Sequence, residues 1–147
     1  MTRVVPPVLG LAWVGTQVAM TAVAGGRRRF PGQAVVAATL AAGGLALGAG
    51  AVGLFREAGT TPRPQEPAEA STLVTDGLYS YTRNPMYLSL LVQLLAVSVG
   101  TGRLRTLLAI PGMVWSLLPQ IEAEEAALTE RFGEQYTGYC ARVQRWL

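Results

Sequence analysis

The stretch DGLYSYTRNPMYLSLL, Asp76–Leu91, decides how this chain is read. It passes from a turn signal, Asp76-Gly77, through Arg83-Asn84-Pro85 into an apolar run. Asn84 suits a helix N-cap and Pro85 a first helical residue. One apolar hairpin later comes EAEEAALTERFGEQYTGYCARVQRWL, Glu122–Leu147, which opens on a cluster of carboxylates. A hairpin of membrane length brings two such polar clusters to the same bilayer face. Ionisable groups gathered there mark a functional site.

The apolar runs on either side predict the architecture. Val4–Ala24 holds no charge and spans about 30 Å as a helix, with Pro6 and Pro7 in its first turn. A secretory signal is the rival reading, because Ala22-Val23-Ala24 resembles a cleavage site; Arg27-Arg28-Arg29 behind it argues for a retained helix. Pro31–Phe55 is the second span, and Gly44 and Gly48 fit close helix packing. Residues 85–100 form a short third span of about 24 Å. Gly100-Thr101-Gly102 predicts a tight turn before the fourth span, Leu104–Ile121, in which Pro111 and Pro119 predict kinks.

Residues 56–82 break the pattern. TTPRPQEPAEAS predicts an extended loop, while Leu73, Val74, Leu78, Tyr79 and Tyr81 are apolar enough to pack at an interface. In residues 122–147, Leu128, Phe132, Tyr136, Tyr139, Val143 and Trp146 recur as one helical stripe, and Gly133 divides two helices. That segment reads either as a tail on the membrane or as a cover over a site between the third and fourth spans. The predicted fold is therefore all-α: one integral membrane domain, 1–147, with about four transmembrane helices (4–24, 31–55, 85–100, 104–121), a Pro-rich loop and a C-terminal amphipathic segment.

Composition agrees. Half of the 147 residues are apolar and 14% are charged, against about a quarter in an ordinary soluble domain. Mean hydropathy is +0.32. All twelve basic residues are Arg, and His is absent. Acid–base chemistry near neutrality is thus left to carboxylates, tyrosines, the single Cys140 or a substrate. One Cys excludes an internal disulfide, and the composition argues against a zinc or haem site. A net charge of +3 reads as juxtamembrane arginine rather than a nucleic-acid surface. Four spans place seven arginines on the side of the chain ends and five (27, 28, 29, 103, 105) on the other. The count leans towards the first group being cytoplasmic; the triplet opposes it.

These motifs resemble a known family. GLYSYTRNPMYLS is similar to the G-x-Y-x-x-x-R-H/N-P-x-Y-x-G signature of the isoprenylcysteine carboxyl methyltransferase and phospholipid methyltransferase superfamily. EEAALTERFGEQYTGYCARVQRWL resembles its closing segment, and TTPRPQEPAEASTLVTDG resembles the lead-in of its bacterial members. The resemblance covers residues 60–147 and implies a membrane methyltransferase using S-adenosylmethionine (SAM), with the site facing the cytosol of a bacterial inner membrane. It implies catalytic roles for Arg83, Asn84 and Glu125. It also implies cofactor contacts from Asn84, Tyr87, Leu88, Glu122, Glu124, Glu125 and Tyr136, no metal, no nucleic acid, and a lipid-like or apolar acceptor drawn from the bilayer.

Methyl transfer is an in-line displacement that needs alignment and exclusion of water rather than a metal. Arg83 suits the cofactor carboxylate, and Glu124 or Glu125 its ammonium or ribose. Glu122 and Glu125 share a helical face in this reading, and Glu124 points elsewhere. The plain alternatives are that Asn84-Pro85 only starts a helix, Arg83 snorkels to headgroups, and the glutamates are solvated in a first helical turn. Three departures stand out: Asn84 where His is common, Ser89 for the trailing Gly, and no Arg within residues 118–121 to meet a carboxylate acceptor. The acceptor group is then an amine, thiol or hydroxyl as readily as a carboxylate. Other readings are an NADPH-dependent sterol-type reductase, whose family shares an R-H-P-x-Y-like motif, and a non-enzymatic four-helix scaffold or transporter.

Overall fold

The computed structural model describes residues 6–23, 25–60 and 71–147, with side chains from Gly10 onward. Arg3, Arg63, the ends of the first predicted span and most of the Pro-rich loop lie outside these residues. Among the described residues the chain is helical, without strands: α1 Pro6–Val23, α2 Gln33–Glu57, a 3-10 turn Gly77–Ser80, α3 Pro85–Thr101, a second 3-10 turn Leu104–Leu108, α4 Ala109–Phe132 and α5 Glu134–Arg142.

α3 is the hub. α2 runs along one side of it, while α1 and α4 close the other. The small residues of α2 allow the close approach: a Cβ at Gly44 would meet the Gln93 amide, and one at Gly48 the Ser89 hydroxyl. Gln93 Nε2 also donates to the Ala41 carbonyl at 2.9 Å. Tyr87, Leu94, Ala109, Met113, Leu117 and Ile121 form the main core, with Trp13, Val14, Leu90 and Trp146 packed against it. Fully buried Gln17 ties α1 to α3 and the second 3-10 turn, donating Nε2 to the Leu94 carbonyl, the Ser98 hydroxyl and the Thr106 carbonyl at 2.8, 2.8 and 3.2 Å.

Outward faces are apolar. Leu11, Val18, Val35, Leu45, Leu108 and Trp115 are exposed. Gln33–Glu57 and Leu104–Phe132 are long and apolar enough to cross a membrane by length and composition, whereas the apolar stretches Gly10–Val23 and Pro85–Thr101 are shorter.

The helix bounds correct several expectations. The fourth helix does not end at Ile121 but continues as α4 to Phe132. Ala, Glu and Leu in EAEEAALTE are strong helix formers, and no stop occurs before Gly133, whose φ of 51° breaks the helix. The three glutamates therefore sit on the second half of a long helix rather than in a first turn. Pro111 falls in the first turn of α4, where its missing N–H is not needed; Pro119 alone lies in the interior. α3 runs through Gly100 and ends on Gly102, left-handed at φ 66°. Tyr81 lies outside the protein core, 74% exposed.

Candidate functional site

The site forms where the start of α3, the second half of α4 and the last residues of the chain converge. Asn84 occupies the N-cap position but makes no side-chain cap. Its Nδ2 instead donates to the Arg145 carbonyl at 3.0 Å. The Thr82 hydroxyl donates to the same carbonyl at 3.2 Å, and the Arg83 N–H to the Gln144 carbonyl at 3.0 Å. The chain end is thus clipped across the mouth of α3. Tyr136, Tyr139 and Val143 bury themselves there against Leu73, Leu128 and Phe132. The stripe read in the sequence thus packs against Leu73 and the second half of α4.

The clip positions an ion-pair triad. Glu125 Oε1 lies 3.0 Å from an Arg83 guanidinium nitrogen. Arg145 donates Nε to Glu125 Oε1 at 3.1 Å and Nη2 to Oε2 at 2.6 Å, a two-pronged pair that fixes both planes. This bonding raises the Arg145 pKa above its ordinary value. Arg83 keeps a further donor: its Nε is buried without a partner.

A second cluster lies one residue away on α4. The Tyr87 hydroxyl donates to Glu124 Oε1 at 2.6 Å. Gln120, one turn earlier, donates Nε2 to the same oxygen at 3.0 Å and to the Tyr87 hydroxyl at 3.1 Å. Tyr79 flanks the site, edge-on to Phe55 of α2 with centroids 5.3 Å apart. Its carbonyl accepts the Tyr139 hydroxyl at 2.7 Å, while its own hydroxyl is buried without a partner. Burial pushes the hydroxyl pKa of Tyr79 and Tyr136 up, and that of Tyr139 up to about 12. The nearby Cys140 thiol raises Tyr136 further.

Arg83, Asn84, Tyr87, Glu124 and Glu125 are brought together as the sequence predicts. Glu124 does not point elsewhere: it faces Tyr87, and Glu125 faces the arginines. Glu122 is exposed and reaches Arg145 only through its charge. Leu88 is half-buried, and its N–H makes the opening α3 bond to the Asn84 carbonyl. Tyr136 is buried near Arg83 and Glu125 electrostatically. Sequence reasoning missed Gln120, Tyr79, Tyr139 and Arg145 as site residues. Gln120 had a signal, four residues before Glu124 on one helical face. Arg145 had one as well, as the arginine of the closing segment EEAALTERFGEQYTGYCARVQRWL, but its pairing with Glu125 depends on the path of the chain after Gly133.

Residues 33–135, well over half of the chain, match the family model described as phospholipid methyltransferase. The chain belongs to the phospholipid methyltransferase family. Protein-S-isoprenylcysteine O-methyltransferase of Schizosaccharomyces pombe is 35% identical over 72 residues, 48% of this chain and 30% of that protein. The match thus covers less than a third of that relative's length. No solved structure matches. The stretch matched to the phospholipid methyltransferase family holds α2, α3 and α4 and so Arg83, Tyr87, Gln120, Glu124 and Glu125 of the two clusters, whereas α1, Tyr136 and Arg145 fall outside it.

Proposed function

We propose that this chain is a SAM-dependent methyltransferase embedded in a membrane by α1–α4 as four spans, acting on a lipid-like or apolar acceptor. The observation that carries the reading is the pairing of Arg83 with Glu125 beside that of Tyr87 with Glu124 at the mouth of α3, inside the stretch matched to a methyltransferase family. The donor set fits the cofactor. SAM presents a carboxylate, an ammonium and ribose hydroxyls; the site offers the spare buried Arg83 Nε, the spare Tyr79 hydroxyl and the Glu124 carboxylate. Arg83 would take the cofactor carboxylate, and Glu124 with Tyr87 the ammonium or ribose. Glu125 and Arg145 hold Arg83 and the chain end in place.

When bound, the cofactor supplies a methyl group on a sulfonium, open to displacement. The protein's part is to orient, and to exclude water with the tyrosines and the clip. Gln120 stands beside Glu124 where a guanidinium would favour a carboxylate acceptor. Its neutral amide supports an amine, thiol or hydroxyl on a lipid-like molecule. The apolar outer faces of α2 and α4 support delivery from the bilayer, and we place the site at the cytosolic face of the membrane.

The test is a thermal-shift titration of the purified protein with S-adenosylhomocysteine and, separately, NADPH. A concentration-dependent rise with S-adenosylhomocysteine alone is expected. A rise with NADPH alone would replace this reading with a reductase.

A further inference from the structure

The end of the bundle remote from the site carries a built basic platform. Residues 25–32 and 101–106, which close that end, contain five arginines and no acidic residue. The other seven arginines and all nine acidic residues leave the rest of the chain at net −2. The two segments are clasped together: the Arg28 N–H donates to the Gly102 carbonyl at 2.8 Å, and a Cβ on Gly102 would run into the Arg28 carbonyl.

The ordinary task for arginine here is to cap the last carbonyls of α3. Three of those carbonyls are already engaged. Gln33 Nε2 donates to Val99 and Gly100 at 2.6 and 3.2 Å, and the Gly102 N–H donates to Ser98 and Val99. Arg27, Arg28, Arg29 and Arg105 are exposed. Large apolar side chains surround them on the same end of the bundle: Val23, Phe30, Val35, Leu104 and Leu108 are each at least half exposed.

A cationic crown over an apolar collar fits a molecule with an anionic head and an apolar tail. We propose that this platform binds the anionic headgroups of phospholipids in the leaflet opposite the site. The guanidinium fork matches phosphate oxygens, and the collar sits at acyl depth. The collar favours a lipid over a free phosphate, which would leave it uncovered. The proposal rests on the membrane reading above, and not on the methyl-transfer chemistry.

The test uses the full chain in nanodiscs of phosphatidylcholine, alone or with a minority of phosphatidylglycerol. Phosphatidylglycerol should raise the thermal midpoint, and salt should shrink the rise. The rise should vanish in the fourfold variant Arg27→Gln, Arg28→Gln, Arg29→Gln, Arg105→Gln, and persist in Arg56→Gln/Arg142→Gln at the other end. Circular dichroism checks the fold of each. Should the fourfold variant lose helix, Arg27→Gln and Arg105→Gln singly should each shrink the rise. No rise in the wild type, an equal rise in the platform variants, or the same rise from inorganic phosphate in pure phosphatidylcholine each overturns the proposal. The S-adenosylhomocysteine shift, read on the same samples, tests the site independently.

Discussion

Glu124 and Glu125 are neighbours with separate tasks. Glu125 neutralises two guanidiniums, and Glu124 is shared by a phenol and an amide. Glu124→Gln should keep the fold and weaken S-adenosylhomocysteine binding by roughly tenfold or more, read by calorimetry. Glu125→Gln should lower the thermal midpoint, at a cost of roughly 1–3 kcal/mol, because two partly buried arginines lose their counter-charge. Equal effects of both on stability and binding would show that the clusters are one unit. The tyrosines give a pH signature. The Tyr79, Tyr136 and Tyr139 hydroxyls all titrate higher in the folded protein than the ordinary value near 10. Their stabilisation is complete below that value and is lost as pH rises, through about 12 for Tyr139. The midpoint should therefore fall between pH 10 and 12, less steeply in Tyr139→Phe. That variant also loses about 1 kcal/mol at neutral pH with its bond to the Tyr79 carbonyl.

At the scale of elements, α4 both packs the core and carries Gln120, Glu124 and Glu125. A Cβ on Gly112 would collide with the Trp13 ring of α1. Gly112→Ala should push the helices apart and cost about 1–3 kcal/mol, seen as a lower midpoint with unchanged helix content. Much of this arrangement is legible in the sequence. Charge-free runs, Asn84-Pro85 and Gly133 locate four of the helix ends or starts to within a few residues. That the fourth helix runs unbroken from its apolar half to Gly133 is not legible, because a drop in hydropathy at Glu122 marks a change in surroundings and not where hydrogen bonding stops. Asn84 illustrates the same divide at the site. Its N-cap position is readable, but its amide is redirected by a carbonyl 61 residues away. Ion pairing by Arg145 is likewise set by the turn at Gly133 and the path of α5.

At the scale of the molecule, the arginine-rich segments 25–32 and 101–106 lie at the end remote from the Glu124 and Glu125 clusters. Four spans require Gly25 and Ser71 to lie on opposite sides of the membrane. With Cys140 replaced by Ser, Gly25→Cys and Ser71→Cys should react with an impermeant maleimide from opposite faces of sealed vesicles. Gly25 has open space around it, so the probe costs no packing. Labelling from the same face would rule out the four-span arrangement. The clip has a further consequence, for synthesis. Thr82, Arg83 and Asn84 are held by the carbonyls of Gln144 and Arg145. Those carbonyls lie later in the chain than α1 to α4, so they are made after all four helices. Until then Arg83 lacks its backbone anchor and Glu125 lacks one of its two arginines. The ion-pair triad is therefore completed last, by a few residues that follow the helices they join.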